Sequence, residues 1–449
     1  MIKAGLLVLG RKRPGFDPEW GAGIKAGIVA QMERGSHTLF VPAVSIVDDL
    51  TLRSALRECA CASVDVYVVV QPTMSDANLG VTIAQHARAP IVLWATPENP
   101  EGAMISSCSL VGAHAFGSTL RLMNKPFELV YGMPGEADTV RRLDAAVIIA
   151  NACGRIRGGK VGLIGYHAPG FIDMHACSWR TMGRLELQLR HISLHDFIEA
   201  ARGIETDAVA ADLARFKELG LPFRDIEDSD LEQASRLYLA IKQFIHEETL
   251  DAAAIRCWPE LPRMAGQWPY LGMLRLGEDA FPIAAEGDVD GALSLWAGGL
   301  LGLGTAGYLS DWLEHDYETV THWHASNAPL AMQEPLGRER GPHVARHFNN
   351  GKPCVVEGTL KAGMPVTVFR IWSCDDAYHL AVLEGETIPP RRHLKGANGL
   401  ARIDGGCVRD RFEMLLHAGM PHHVAVFPGR QGAILKKFAR GMRMEIATP

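Results

Sequence analysis

Between residues 4 and 122, short apolar runs alternate three times with longer amphipathic stretches: 4–9 then 20–32, 64–70 then 76–88, and 91–95 then 108–122. An alternation of this kind restricts the fold, because strands that read as continuous apolar runs must be covered on both faces. Helices between them do so only around a parallel sheet. A further helix is predicted over 136–154, with Val140, Leu143, Val147 and Ala150 on one face. Residues 160–165 (KVGLIG) then open a second unit of the same class. Ser229 and Glu232 have the spacing of a capping box ahead of Leu231, Ala234, Tyr238, Ile241 and Ile245, and 252–257 reads as the next strand.

After about residue 340 the pattern changes. Runs at 354–356, 366–372 and 378–383 are β-branched or aromatic and are separated by Gly, Pro and Asp, as in antiparallel sheets. The expected fold is therefore α/β: two doubly wound parallel-sheet domains, 1–158 and 159–342, followed by a C-terminal antiparallel β-barrel domain, 343–449. A helix is expected near 409–417.

The segment 281–311, FPIAAEGDVDGALSLWAGGLLGLGTAGYLSD, holds two carboxylates, Glu286 and Asp311, at the ends of an apolar helical stretch. Asp288 has the position of an N-cap, because Val289, Ala292, Leu293, Trp296 and Leu300 follow at helical spacing. A second strand over 306–309 is expected to stop at Asp311 beside the strand of Glu286, so that both acids face one crevice of one sheet. Gly302, Gly304 and Gly307 match G-x-G-x-x-G, but in helix-to-strand order. A dinucleotide site needs the reverse, so the glycines read as a helix end. No P-loop and no G-x-S-x-G elbow is present.

Charge and cysteine usage exclude other classes. Lys plus Arg number 45 against 51 Asp plus Glu, a net charge of −6, which argues against a nucleic-acid or membrane-surface partner and for a small molecule. The nine cysteines are odd in number and scattered; the pair Cys59 and Cys61 lies in a helical stretch and reads as packing. With no signal-like leader and no apolar run near twenty residues, a reducing cytoplasm is expected. His322 and His324 flank Trp323 on a strand-like run and would share a side of it, and His422 and His423 precede another. By spacing alone each histidine reads more readily as a structural residue than as a ligand, Glu286 equally as a helix-capping acid and Asp311 as a turn residue.

The segments GRKRPGFD, CWPE (257–260), AAEGDVDGALS, SDW, HWHASNAP and HHVAVFPGRQGA occur in the order of the L-fucose isomerase and L-arabinose isomerase superfamily, which the chain resembles over nearly its full length. That resemblance implies a metal-dependent interconversion of an aldose and its ketose through a cis-enediol. Glu286 and Asp311 would be acid and base, and Glu286, Asp311 and His423 the ligands of Mn2+, with Mg2+ or Co2+ as substitutes. It also implies substrate contacts from Arg13, Trp258, His324 and Asn327, and a homo-trimer or hexamer whose site lies at a subunit interface, with Arg13 acting in trans. His422 stands where L-fucose isomerases have asparagine, which leaves the sugar open. Arg11, Lys12 and Arg13 read either as a solvated loop or as recognition of an anionic sugar such as sulfoquinovose. A non-catalytic sugar-binding protein of the same fold is the other alternative.

Overall fold

Five parallel strands carry the first alternation: β1 (Lys3–Val8), β2 (Thr38–Phe40), β3 (Val66–Val70), β4 (Ile91–Ala95) and β5 (Phe127–Tyr131), in the order β2-β1-β3-β4-β5. The structure, a computed structural model, describes residues 1–12, 16–101, 103–304, 306–325 and 328–447. Every residue of β3 and β4 is buried, because successive side chains enter opposite cores. Leu7, Val69 and Leu93 pack with Leu56, Ile83 and Phe116, whereas Leu6, Val68 and Val92 pack with Ile28 and Val147. Cys59 is part of the first of these cores, as the packing reading requires. β5 was not legible as a strand, since only one of its five residues is buried.

The chain divides into two compact units, Met1–Arg155 with Arg440–Met442, and Ile156–Ala439 with Arg443–Pro449. The second unit contains a four-stranded parallel sheet of β6 (Lys160–Ile164), β7 (Gln188–Ile192), β8 (Ala252–Ile255) and β9 (Ile283–Ala284), in the order β7-β6-β8-β9. The helix Asp228–Glu247 packs on it through Leu237, Tyr238 and Ile241. Its cap differs from the expected Ser229 and Glu232: Asp230 accepts from the Glu227 amide at 3.1 Å, two residues earlier.

The same unit contains a large mixed sheet. Its strands are β10 (Tyr308–His315), β11 (Thr319–His324), β12 (His343–Ala345), β13 (Val355–Thr359), β14 (Pro365–Cys374), β15 (Ala377–Ile388), β16 (Ala397–Ile403), β17 (His423–Pro428) and β18 (Glu445–Ala447). They run in the order β12-β13-β16-β11-β10-β17-β14-β15-β18, with β15 also pairing β16. The sheet is mixed where an antiparallel one was expected, because β13 with β16 and β15 with β18 are parallel pairs, whereas β16, β11, β10, β17, β14 and β15 pair antiparallel in turn and β15 pairs back to β16. The helix Val408–His417 falls where the sequence placed one.

One expectation is overturned here. Asp311 neither ends its strand nor shares a sheet with Glu286: β10 continues to His315 in the large sheet, while Glu286 follows β9 of the parallel sheet. The cause is a hairpin the apolar pattern does not reveal, in which Asp316 accepts from the Glu318 and Thr319 amides and returns the chain as β11. The helix-end reading of the glycines fits: the helix Val289–Leu300 stops just before Gly302, and a side chain at Gly307 would meet the Phe427 ring at 2.3 Å. Among the described residues no helix is long and apolar enough to cross a membrane.

Candidate active site

Glu286 has φ +61°, a left-handed conformation that costs a non-glycine residue about 1 kcal/mol or more and persists only where surroundings enforce it. Several contacts do so. The Glu286 amide donates to Cys257 Sγ at 3.3 Å, and its carbonyl accepts from the Ala168 amide at 2.8 Å. Gly287 follows at φ +71°, and a side chain there would meet the Tyr166 carbonyl oxygen at 2.5 Å. Its own carbonyl pairs with His167 Nδ1 at 2.8 Å. Trp258 Nε1 donates to Glu286 Oε1 at 2.9 Å, so this residue, expected at the substrate, touches the carboxylate directly.

Asp311 and His423 come from adjacent antiparallel strands, where they are register partners. His423 Nε2 lies 3.4 Å from Asp311 Oδ1 and 3.6 Å from Glu286 Oε2, too far for a hydrogen bond to either. Both His423 Nε2 and Glu286 Oε2 are buried and have no hydrogen-bond partner among the described residues. Unsatisfied buried polar atoms call for an explanation. Donors held about 2.1 Å from a small divalent ion stand about 3–4 Å from one another, which is the spacing seen here. Two donor sets have all their ligand atoms within 4.8 Å: Glu286, His324 and His423, and Asp311, His422 and His423. The residues therefore fit a divalent ion, and His324, expected at the substrate, stands among the donors.

The orientation of His423 comes from a residue that the sequence offered only as a helix cap. Asp288 does cap, accepting from the Gly291 amide at 2.8 Å. It also receives His423 Nδ1 at 2.9 Å and the Arg370 guanidinium through two bonds of 2.6 and 2.7 Å. With Nδ1–H donated to a carboxylate, Nε2 presents its lone pair to Glu286 and Asp311, the arrangement that fixes a metal-binding imidazole. Both Asp288 and Arg370 are fully buried. Burial pushes the Asp288 carboxyl upward, but Arg370 and His423 hold it well below the usual carboxylate range. Burial, with the Asp288 charge adding to it, outweighs Arg370 and drives the neighbouring Asp290 up to about 6.

The loop after β6 completes the wall and was not singled out by the sequence. Phe171 packs edge-on to Trp258 at 5.5 Å and against His422 at 4.7 Å. Asp173 Oδ2 lies 2.8 Å from His422 Nδ1, and His422 Nε2 is 3.9 Å from Asp311 Oδ1. Only an acid spaced from a helix or strand signal is visible in sequence, and Asp173 has neither. His322 goes elsewhere: it is buried against Ser310 Oγ at 3.0 Å. Arg13 and Asn327 lie outside the described residues. In the first unit, Arg11 donates to the Met74 carbonyl at 3.0 Å and Lys12 pairs with Asp48 at 2.5 Å.

No family model matches the chain. It is similar to sulfoquinovose isomerases. The identity is 25% over 442 residues with those of Priestia aryabhattai and Priestia megaterium, covering 97% of this chain and 97% of each relative. With that of Alkalicoccus urumqiensis it is 25% over 335 residues, 74% of either chain. The relatives support an enzyme of the isomerase class in carbohydrate metabolism.

Metal affinity should depend on pH through His423. Burial lowers its pKa, but the Asp288 hydrogen bond and the charges of Asp288, Asp311 and Glu286 outweigh burial and raise it above the ordinary imidazole value. A raised pKa means the metal-free protein holds this proton to higher pH, and an ion must displace it. Calorimetric titration with Mn2+ should show an affinity that is flat well above that pKa and falls about tenfold per pH unit below it. A flat affinity across the imidazole range would remove His423 from the ligand set.

Proposed function

We propose that the chain is a metal-dependent aldose–ketose isomerase of the L-fucose and L-arabinose isomerase kind, whose aldose carries an anionic group as sulfoquinovose does. The observation that carries the reading is the convergence of Glu286 Oε2 and Asp311 Oδ1 on the buried, unbonded Nε2 of His423. The similarity to sulfoquinovose isomerases over 97% of the chain supports the anionic substrate over a neutral one.

Glu286, Asp311 and His423, with His324 alongside, would hold the divalent ion, and oxygen and imidazole donors suit manganese better than a thiolate-seeking metal. When bound, the ion supplies Lewis-acid stabilisation of negative charge on two adjacent substrate oxygens. The protein supplies the proton movement. In the forward direction one of the two carboxylates, Glu286 or Asp311, takes the C2 proton of the aldose while O1 gains a proton, giving a cis-enediol; a proton is then returned to C1 as the O2 hydroxyl gives up its own, which leaves the ketose. Trp258 occupies Glu286 Oε1 and leaves Oε2 for the reaction. Asp288 keeps His423 in one tautomer, and Phe171 with Trp258 shields the carboxylates from water.

A trimer or hexamer with Arg13 reaching a neighbouring subunit's site belongs to the same proposal. The decisive experiment is incubation with Mn2+ and sulfoquinovose in deuterated water, followed by NMR. Deuterium should appear on the carbon next to the carbonyl as ketose accumulates. No exchange with sulfoquinovose or with any pentose, hexose or 6-deoxyhexose would sink the isomerase reading.

A further inference from the structure

Recognition of an anionic substituent calls for a cation near the site, and several cations of the second unit are already engaged. Arg370 is taken by Asp288, Arg256 by Glu260 at 2.7 and 2.5 Å, and Arg180 by Asp376 at 3.3 Å. The basic run 391–395 (RRHLK) lies just before β16. Within it Arg391 pairs with Asp316, Arg392 with Glu314 at 3.0 Å, and His393 with Thr359 Oγ at 3.3 Å. Lys395 is different: it is exposed, and its ammonium has no carboxylate partner among the described residues.

Its backbone, by contrast, is tied to the site. Trp323 is the register partner of Asp311 across β10 and β11, and its Nε1 donates to the Lys395 carbonyl at 2.5 Å. Gly396, at φ +94°, permits this approach, since a side chain there would meet Trp323 Nε1 and the His324 carbonyl at 3.0 Å. Phe348 packs edge-on to the Trp323 ring at 5.9 Å. Lys395 thus stands at the end of an aromatic wall that starts beside Asp311. β16 is two strands from β10, a span of roughly 10 Å, over which an extended six-carbon sugar with a group on its last carbon reaches.

We propose that Lys395, at the outer end of the Trp323 wall, receives the anionic group on C6 of the substrate while C1 and C2 lie at Glu286 and Asp311; this rests on the isomerase reading above. A compact ammonium on a flexible stem suits a single sulfonate as a point charge, without the two-pronged geometry an arginine imposes. The proposal places anion recognition in the same unit as the donors, and not in the Arg11 to Arg13 cluster.

The test uses the full-length, manganese-loaded protein with sulfoquinovose and with uncharged 6-deoxyglucose. Lys395→Ala should raise KM for sulfoquinovose about 10- to 100-fold, as the loss of a charged hydrogen bond does, with kcat little altered. Its preference for the sulfonated over the uncharged sugar should shrink by the same factor, and Lys395→Arg should restore most of it. Added salt should raise the wild-type KM and leave that of Lys395→Ala flat. An unchanged KM with the salt dependence intact, or a comparable KM rise in Arg11→Ala or Lys12→Ala alone, would overturn the assignment. Failure of the wild-type protein to turn over sulfoquinovose while it turns over uncharged sugars would instead strike the anionic-substrate reading, and failure with every sugar the isomerase reading, each taking this proposal with it.

Discussion

Glu286→Gln should abolish deuterium exchange from solvent, a loss of about a thousandfold or more, while the folded protein is retained. General acid–base groups contribute about 10²–10⁴-fold, and this one would also give up a ligand charge. Glutamine preserves the volume and can still accept the Trp258 Nε1 bond through its carbonyl oxygen, so the strained backbone at φ +61° keeps its supports. The comparison requires circular dichroism and a melting curve with no metal present, where the variant should match the wild type. Residual exchange within tenfold of wild type would take Glu286 out of the proton transfer, and an unfolded variant would call for Glu286→Asp as the substitute.

The second large effect belongs to the buried pair behind the site. Arg370→Leu leaves the fully buried Asp288 carboxylate without its guanidinium partner. Stranding one partner of a buried pair costs about 3–5 kcal/mol, to be read from urea unfolding of the metal-free protein. The double variant Asp288→Asn with Arg370→Leu removes both charges, and much of the lost stability should return. Metal affinity should not return with it, because His423 Nδ1 then lacks a carboxylate acceptor, and losing such an outer partner lowers affinity about 10–100-fold. Recovery of both properties would mean the pair serves the fold alone.

The contrast between Asp288 and Asp311 explains how much was legible in the sequence. Asp288 announces itself as a helix cap because capping is local: it needs only the apolar positions that follow. Its larger task, binding Arg370 and His423 from 82 and 135 residues away, leaves no local trace. Asp311 could be named through resemblance, yet its sheet was misassigned, since β10 finds its ladder in β11 and β17 and not in the nearer β9. The parallel sheets were readable because fully buried strands must be apolar at every position. β5, half exposed, broke that rule and escaped. The loop carrying Phe171 and Asp173 has no periodicity at all, so nothing short of the folded contacts could place it against His422.

The register of Asp311 with His423 has a mechanical side. Two donors facing each other on one rung of a ladder keep a separation fixed by backbone hydrogen bonds, whereas Glu286 arrives from a different sheet on a turn between Ile283–Ala284 and Val289–Leu300. The site is thus a rigid jaw facing an adjustable one. Ions of different radius would be accommodated by travel of the Glu286 turn, and the Ala168 and His167 bonds that hold that turn set the stiffness of the grip.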